Sequence, residues 1–184
     1  MSNSGGSAVA SYVYAWNPRL WDWPELPRER RRLAARGHVD IEWACGRSRT
    51  IEPGSRAFFV RLGVPPKGLI GSGYALCEPW EDVHWLDEKA QQGVRTHYLK
   101  LRLDALFDAP LITLDELKKP PFGRFRWAVR QSGTRLPSAI ADALEPWWEV
   151  RVADARTAKG RAMRTGPSSR RTIVRAGQPR EDEE

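Results

Sequence analysis

The sequence predicts an α+β fold in which a small, strongly curved sheet or barrel of about five to six strands is flanked by short helices. Three observations predict it. Short apolar segments alternate with turns rich in proline and glycine, glycines interrupt one of these segments, and the long amphipathic helices of a doubly wound α/β sheet are missing. The 184 residues are enough for one domain with its own hydrophobic core.

Five segments are predicted to be strands. Residues 9–16 are β-branched and aromatic without a breaker, and residues 97–104 alternate leucines with polar side chains. The other three are residues 41–43, 56–62 and 69–77. Gly71 and Gly73 lie inside the last of these and indicate a bulge, a bend of a barrel or the close approach of a ligand.

Three helices are predicted. Residues 26–36 have a proline in the first turn, stop at Gly37 and carry five arginines beside a narrow apolar stripe, which places this helix at the surface. A capping box from Thr113 to Glu116 opens a short second helix. Residues 137–148 form the third, and Pro146 is expected to kink or end it.

The chain is predicted to hold one domain, residues 9–152, between a disordered lead at residues 1–8 and a basic tail without its own core at residues 153–184. The N-terminus lacks the basic and apolar regions of a signal peptide, and no apolar run reaches the roughly 18 residues of a membrane span. The two cysteines are too few for a disulfide framework. We therefore expect a cytoplasmic protein with no membrane partner.

The charge of the chain favours a polyanionic partner. Lysine and arginine outnumber aspartate and glutamate by 30 to 23, which gives a formal net charge of +7. Residues 151–184 hold nine basic and five acidic groups and contribute +4 of that charge. Nine tryptophans are also several times the ordinary number, which indicates that some of them line a pocket while the others form the core.

The sequence shows no standard catalytic motif. A phosphate-binding loop, a nucleophile elbow and an HExxH pair are all missing. His38, His84 and His97 are scattered without the partners that a metal site needs, and Cys45 has no base beside it in the sequence. We expect no enzymatic activity, no metal and no cofactor, and we interpret Cys45 as a small buried residue.

Four short segments combine aromatic or glycine positions with polar edges, namely residues 16–18 (WNP), 43–47 (WACGR), 71–73 (GSG) and 131–133 (QSG). Aromatic faces stack on planar groups, while amides and hydroxyls can bind the polar edge of a base. Each segment alone also has a plainer interpretation, since WNP is often a turn and GSG is often a bend. Together they favour recognition of a planar ligand such as a nucleobase.

Six longer stretches, spread in order over residues 11–149, carry a family resemblance. They are residues 14–23 (YAWNPRLWDW), 43–46 (WACG), 51–63 (IEPGSRAFFVRLG), 67–73 (KGLIGSG), 78–85 (EPWEDVHW) and 131–137 (QSGTRLP). In these stretches the chain resembles the EVE domain of the PUA-like superfamily, in the branch found beside HNH nucleases in modification-dependent restriction enzymes. No HNH signature follows the domain here, so the resemblance does not extend to DNA cleavage.

The resemblance implies a PUA-like twisted β-barrel, related to the YTH readers of methylated adenine, that binds DNA carrying 5-methylcytosine or 5-hydroxymethylcytosine. The modified base would be flipped into an aromatic pocket. The implied base-binding residues are Trp16 and Trp43 as walls, Asn17 and Ser72 as edge readers, and Trp85, Gln131 and Ser132 as further members. We expect Arg47, Arg49, Arg170 and Arg171 to bind phosphates.

Three other functions stay open from the sequence. They are an RNA-binding module of the PUA-like kind, an enzyme acting on nucleotides or RNA, and a binder of a small ligand or protein. Charge and aromatic content do not separate DNA from RNA, because both offer phosphates and stackable bases. The expected partners are modified DNA, or alternatively RNA, and a separate nuclease or other effector protein.

Overall fold

The computed structural model describes residues 9–164, with side-chain detail up to residue 161. In this part of the chain, eight strands form one mostly antiparallel mixed sheet and four α-helices pack around it, which confirms the predicted α+β class. In chain order the elements are β1 (Ser11–Trp16), α1 (Leu26–Arg36), β2 (Val39–Gly46), β3 (Arg56–Arg61), β4 (Gly68–Ala75), β5 (Trp80–Val83), α2 (Asp87–Gln91), β6 (Arg95–Leu106), β7 (Ile112–Thr113), α3 (Leu114–Leu117), a 3₁₀ turn (Phe122–Arg124), β8 (Thr134–Leu136) and α4 (Ser138–Arg164).

The strands follow the order β2-β6-β4-β3-β1-β8, with β5 beside β6 and β7 beside β4. β1 runs parallel to β3, whereas the other pairings described for this sheet are antiparallel. β2 and β8 stand at the two ends of this order and do not pair with each other, so the sheet is open. The predicted barrel of about five to six strands is therefore wrong in closure and in strand number.

The sheet is nevertheless strongly curled. The rings of Trp43 on β2 and Phe59 on β3 lie 5.1 Å apart between centroids, although β6 and β4 stand between these two strands. A flat sheet would separate β2 from β3 by about 14 Å, three times the usual spacing of about 4.8 Å. The curl therefore brings side chains from distant strands together on the concave face.

The glycines of β4 allow this curl. A Cβ atom on Gly73 would lie 2.3 Å from the carbonyl oxygen of Arg102, and one on Gly71 would lie 2.8 Å from that of Ala105. The register of β4 against β6 also shifts between Ser72 and Gly73. Among the three interpretations of these glycines, the bulge with a close neighbouring backbone is confirmed.

Two hydrophobic cores lie on the two faces of the sheet. The concave face holds an aromatic core with α1 packed against it through Leu26 and Leu33. The other face holds the core under α4, which inserts Leu144 and Trp148. α1 has the predicted bounds and ends at Gly37, whose φ of 77° suits the left-handed cap.

α4 is much longer than predicted. It begins close to residue 137 as expected but continues for 27 residues, so Pro146 does not end it and the predicted domain end at residue 152 lies within a helix. The later half has no apolar periodicity beyond the buried Val152, and polar contacts also attach it. Arg151 pairs with Glu116, and Arg156 donates a 2.7 Å hydrogen bond to the carbonyl oxygen of Asp104. The rest of the predicted tail, residues 165–184, and the predicted lead, residues 1–8, lie outside the described residues.

No helix within residues 9–164 combines the length and apolar character that crossing a bilayer requires.

Candidate functional site

The concave face of the sheet carries a cluster of six aromatic side chains from β1, β2, β3 and the loop before α1. We call it the aromatic cluster; its members are Tyr14, Trp16, Trp21, Trp23, Trp43 and Phe59. Trp43 lies near its centre, with ring centroids 4.6 Å from Trp23 and 5.5 Å from Trp21. The predicted pocket walls Trp16 and Trp43 thus belong to one cluster, joined through Trp23.

The aromatic cluster is closed in this structure. A planar base between two rings needs about 7 Å between them, twice the carbon–carbon contact distance of about 3.5 Å. The 4.6 Å and 5.5 Å separations around Trp43 are too short for that, and Trp16 and Trp43 are only 6 % and 8 % exposed. A base can stack on Trp43 only if a covering ring moves.

Trp21 is the covering ring, and it is not among the predicted base-binding residues. Its side chain is 38 % exposed, while it stacks on Trp23 with an interplanar angle of 19° and meets Trp43 edge-on. Its carbonyl oxygen accepts a 2.9 Å hydrogen bond from Nε1 of Trp16. Trp21 lies in a loop with no periodic pattern around it, so the sequence carries no signal that its ring is exposed beside the buried ring of Trp23.

The loop that carries Trp21 is held under strain at Trp23. This residue has φ of 46°, a conformation that costs a bulky residue about 1–3 kcal/mol. Its buried ring is fixed by a 2.9 Å hydrogen bond from Nε1 to Glu29 on α1. Burial raises the pKa of Glu29 above its ordinary value, and the hydrogen bond from Trp23 partly opposes that rise.

Ser132 joins the aromatic cluster to the other end of the sheet. Its Oγ accepts hydrogen bonds from the backbone N–H of Ala15 at 2.9 Å and from Nε1 of Trp43 at 3.3 Å. The structure thus places the predicted base-binding residues Ser132 and Trp43 in direct contact. These bonds occupy the hydroxyl, which makes Ser132 a positioning residue in this conformation.

A groove runs beside Ser132 and has a volume of about 530 Å³. We call it the arginine groove, because the exposed side chains of Arg47, Arg49 and Arg135 line it together with those of Tyr12 and Gln131. None of the three arginines forms an ion pair with another described residue. The predicted phosphate ligands Arg47 and Arg49 thus lie on one basic surface, next to the predicted base-binding residue Gln131.

Asn17 opens the loop that carries Trp21. Its Oδ1 accepts a 3.0 Å hydrogen bond from the backbone N–H of Arg19, and its carbonyl oxygen accepts from the N–H groups of Leu20 and Trp21. The half-buried side chain also lies against Gly63. Asn17 therefore shapes the base of the Trp21 loop.

Ser72 and Trp85 do not join this site. Ser72 is fully buried, donates to Asp104 and accepts a 2.8 Å hydrogen bond from Nε1 of Trp148, which belongs to the core under α4. Trp85 follows β5 and stacks on His84, with no ring contact to the aromatic cluster among the described residues. The predicted phosphate ligands Arg170 and Arg171 lie outside the described residues.

The side chain of Cys45 is buried beside the aromatic cluster. Burial is the main cause that raises the pKa of its thiol to about 12, so the reactive thiolate is scarce at neutral pH. This agrees with the interpretation of Cys45 as a small buried residue. Between residues 9 and 161, no three histidine, cysteine or acidic side chains are grouped as a metal site.

Two solved structures share this fold. One is a hypothetical protein from Leishmania major, with a TM-score of 0.55 and 14 % identity, covering 78 % of this chain and 97 % of that one. The other is protein PSPTO5229 from Pseudomonas syringae, with a TM-score of 0.54 and 18 % identity, covering 77 % of this chain and 99 % of that one. No protein-family model and no curated protein matches the sequence. At these identities the likeness concerns the fold alone.

Proposed function

We propose that this protein is a nucleic-acid reader that recognises modified cytosine, 5-methylcytosine or 5-hydroxymethylcytosine, in DNA by holding one flipped-out base at the aromatic cluster. The observation that supports it is the juxtaposition of two surfaces. The half-exposed ring of Trp21 covers Trp43, and Trp43 is linked through Ser132 to the loop that lines the arginine groove.

The arginine groove supplies the phosphate contacts in this proposal. Arg47, Arg49 and Arg135 keep their guanidinium groups exposed and without acidic partners in the described part of the chain, so a phosphate displaces no internal ion pair. Arginine binds phosphate through two parallel N–H groups, which fixes orientation as well as charge. These contacts position the strand without reading its sequence.

The aromatic cluster supplies the stacking surface once Trp21 moves outward. A base that enters between the displaced ring of Trp21 and Trp43 gains about 1–3 kcal/mol per stacked face, which offsets the few kcal/mol needed to unstack it from the duplex. The amide of Gln131, exposed at the rim of the groove, is the polar group available for the edge of that base. A methyl group on cytosine adds apolar area that the tryptophan faces can bury.

The test is a binding panel of matched oligonucleotides. Duplexes that differ at one cytosine, carrying the plain, 5-methyl or 5-hydroxymethyl base, are compared by fluorescence anisotropy with RNA of the same sequence. A 2-aminopurine placed beside the modified position reports base flipping through its increase in fluorescence. We expect tighter binding of a modified duplex and a flipping signal that requires the modification.

Two results would overturn the proposal. Equal affinity for plain and modified duplexes would show that the protein does not recognise the modified base. Tighter binding of RNA than of every duplex would favour an RNA-binding module. Because the proposal contains no cleavage step, any biological effect on modified DNA would come from a separate nuclease or other effector protein.

A further inference from the structure

The positive charge of this protein is concentrated in two helical segments. α1 contains five arginines and one glutamate, and residues 151–164 of α4 contain five basic residues and one aspartate. Together they carry a formal charge of +8, whereas the whole chain carries +7. Everything else contributes −1, and residues 165–184 contribute nothing, since their four basic residues are matched by four acidic ones. The net positive charge of the predicted tail, residues 153–184, therefore lies within α4.

The two segments come together where Lys159 of α4 approaches α1. A groove of about 510 Å³ runs between them, and we call it the helix groove. Arg30 and Arg31 of α1 and Lys159 of α4 line it, over an apolar floor that includes Pro27 and Ala34. Arg30 is partly neutralised by Asp108 at 2.8 Å, while Arg31 and Lys159 have no such partner within residues 9–161.

The outer side of α1 extends this basic surface. Arg28, Arg32 and Arg36 are exposed and follow one another at four-residue intervals, which places them on one face of the helix. Like charges at this spacing disfavour a helix unless something neutralises them. The only carboxylate within α1, that of Glu29, is bonded to the Trp23 indole and lies near Arg28 and Arg32, so it offsets at most one of the three positive charges. The exposed face of α1 is thus ready for an external anion.

α1 is also firmly joined to the candidate site. Leu26 and Leu33 are buried in the core that contains the aromatic cluster, and Glu29 binds Trp23 directly. From Arg28 to Arg36 the helix rises about 12 Å, which corresponds to three or four nucleotides of one strand at about 3.4 Å each. A nucleic-acid strand bound at the aromatic cluster can therefore also contact the exposed arginines of α1.

We propose that α1 and the adjoining end of α4 form a second, sequence-independent binding surface for the sugar–phosphate backbone of the nucleic acid. This rests on the proposed function only in that the same nucleic acid presents its modified base to the aromatic cluster. The surface holds the duplex outside the arginine groove and contributes affinity without contributing discrimination.

The experiment compares two triple variants that each remove three positive charges. The test variant is Arg28→Gln, Arg32→Gln and Arg36→Gln; glutamine keeps helix propensity, so α1 is expected to stay folded. The control is Lys119→Gln, Arg124→Gln and Arg126→Gln, three exposed residues in the segment around the 3₁₀ turn. Circular dichroism and thermal melting verify that both fold, and binding to plain and modified duplexes is measured across a salt series.

In the test variant, we expect the slope of log K against log salt to fall by about 2–3, near 0.9 per lost phosphate contact. Affinity should fall by about tenfold to a few hundredfold at low salt, equally for plain and modified DNA. An α1 variant with the same slope as the control would overturn the inference, and so would a wild-type protein that binds no duplex. If the slope changes but modified DNA is not preferred, the α1 surface stands and the base-reading function fails. If the slope is unchanged but modified DNA is preferred, the base-reading function stands and the α1 surface fails.

Discussion

The indole of Trp43 and the hydroxyl of Ser132 meet at 3.3 Å, although 89 residues separate them along the chain. Trp43 belongs to β2 at one end of the open sheet, and Ser132 lies two residues before β8 at the other end. Since Oγ of Ser132 also binds the N–H group of Ala15, one hydroxyl connects β2, β1 and the loop before β8. Side chains here make the connection that backbone pairing would make in a closed barrel.

Replacing Ser132 tests this connection. Ser132→Ala leaves the Ala15 N–H and the Trp43 indole without their shared acceptor, and we expect it to lower the free energy of unfolding by about 1–3 kcal/mol. Urea denaturation measures the change. Thr50→Ala, at an exposed loop position, is the control and should change stability little. Equal stability of the two variants would show that the connection contributes nothing.

Trp21 and Trp85 form a matched pair for the stacking role, because their exposures are 38 % and 41 %. Trp21→Ala should reduce affinity for modified DNA by roughly 5- to 150-fold, the equivalent of one stacked base, and leave binding to plain DNA nearly unchanged. Trp85→Ala removes a similarly exposed indole outside the aromatic cluster and should preserve both affinities. Anisotropy titrations with melting curves measure this. If Trp21→Ala and Trp85→Ala change the two affinities in the same way, Trp21 is not part of the base-binding site.

The buried tryptophans should behave differently. Trp43→Ala leaves a large cavity beside Trp23 and Phe59, and we expect a loss of about 3–5 kcal/mol in unfolding free energy. Trp43→Phe keeps part of the packing and should lose less. Chemical denaturation of both variants tests the core role. A fully stable Trp43→Ala protein would mean that the aromatic cluster is looser than its short ring distances indicate.

On the other face, Arg56 binds Glu145 of α4 and Asp104 of β6 at 2.6 Å and lies over the ring of Tyr74. Its side chain is 10 % exposed, whereas the two carboxylates are about a third exposed. We expect Arg56→Met to cost about 3 kcal/mol, at the lower end for breaking a buried ion pair.

The control for Arg56 is Arg102→Met, which removes the exposed pairing with Asp40 and should have little effect on stability. Thermal melting of both variants at two salt concentrations measures their stabilities, and Arg56→Met should lower the melting temperature much more than Arg102→Met. An equal change in melting temperature would contradict the role of Arg56 in attaching α4 to the sheet.

Glu29 makes the stability of the wild type depend on pH. Burial raises the pKa of its carboxyl above 4.5, although Arg28 and Arg32 nearby oppose the rise. Between the ordinary and the raised value the folded state binds more protons than the unfolded state, so stability falls as pH increases through this window. We expect Glu29→Gln to be more stable than the wild type at neutral pH, with a difference that shrinks as pH falls through this window and is smallest below pH 4.5.

Denaturation curves between pH 4 and pH 8, compared with the exposed replacement Glu149→Gln, check this dependence on Glu29. A constant difference between Glu29→Gln and the wild type across that range would contradict it.

Local signals in the sequence predicted the elements that local interactions define. Pro27 and Gly37 bracket α1, and the capping box at Thr113 is present with both of its hydrogen bonds. The missed strands β5, β7 and β8 have four, two and three residues, too few for a periodicity to show. They form because a longer neighbouring strand offers backbone partners, which one segment of sequence does not reveal.

The candidate site was predicted in part for a similar reason. Residues 43–47 and 131–133 were selected separately, and the structure brings them together through Ser132 and Gln131. Ser72 was misplaced because alternation along β4 does not say which face carries the aromatic cluster, and the bulge beside Gly73 changes that alternation. Trp21 was missed because an exposed loop position has no pattern around it.

The contact between Asn17 and Gly63 has a consequence for how this sequence can vary. A Cβ atom on Gly63 would lie only 1.9 Å from Oδ1 of Asn17, and the φ of 75° at Gly63 already favours glycine. A lineage that loses this glycine must also give up the turn at Asn17, and with it the placement of the Trp21 loop. The two positions should therefore be inherited as a pair, so that homologues retaining both preserve the Trp21 loop and homologues lacking either have rebuilt it.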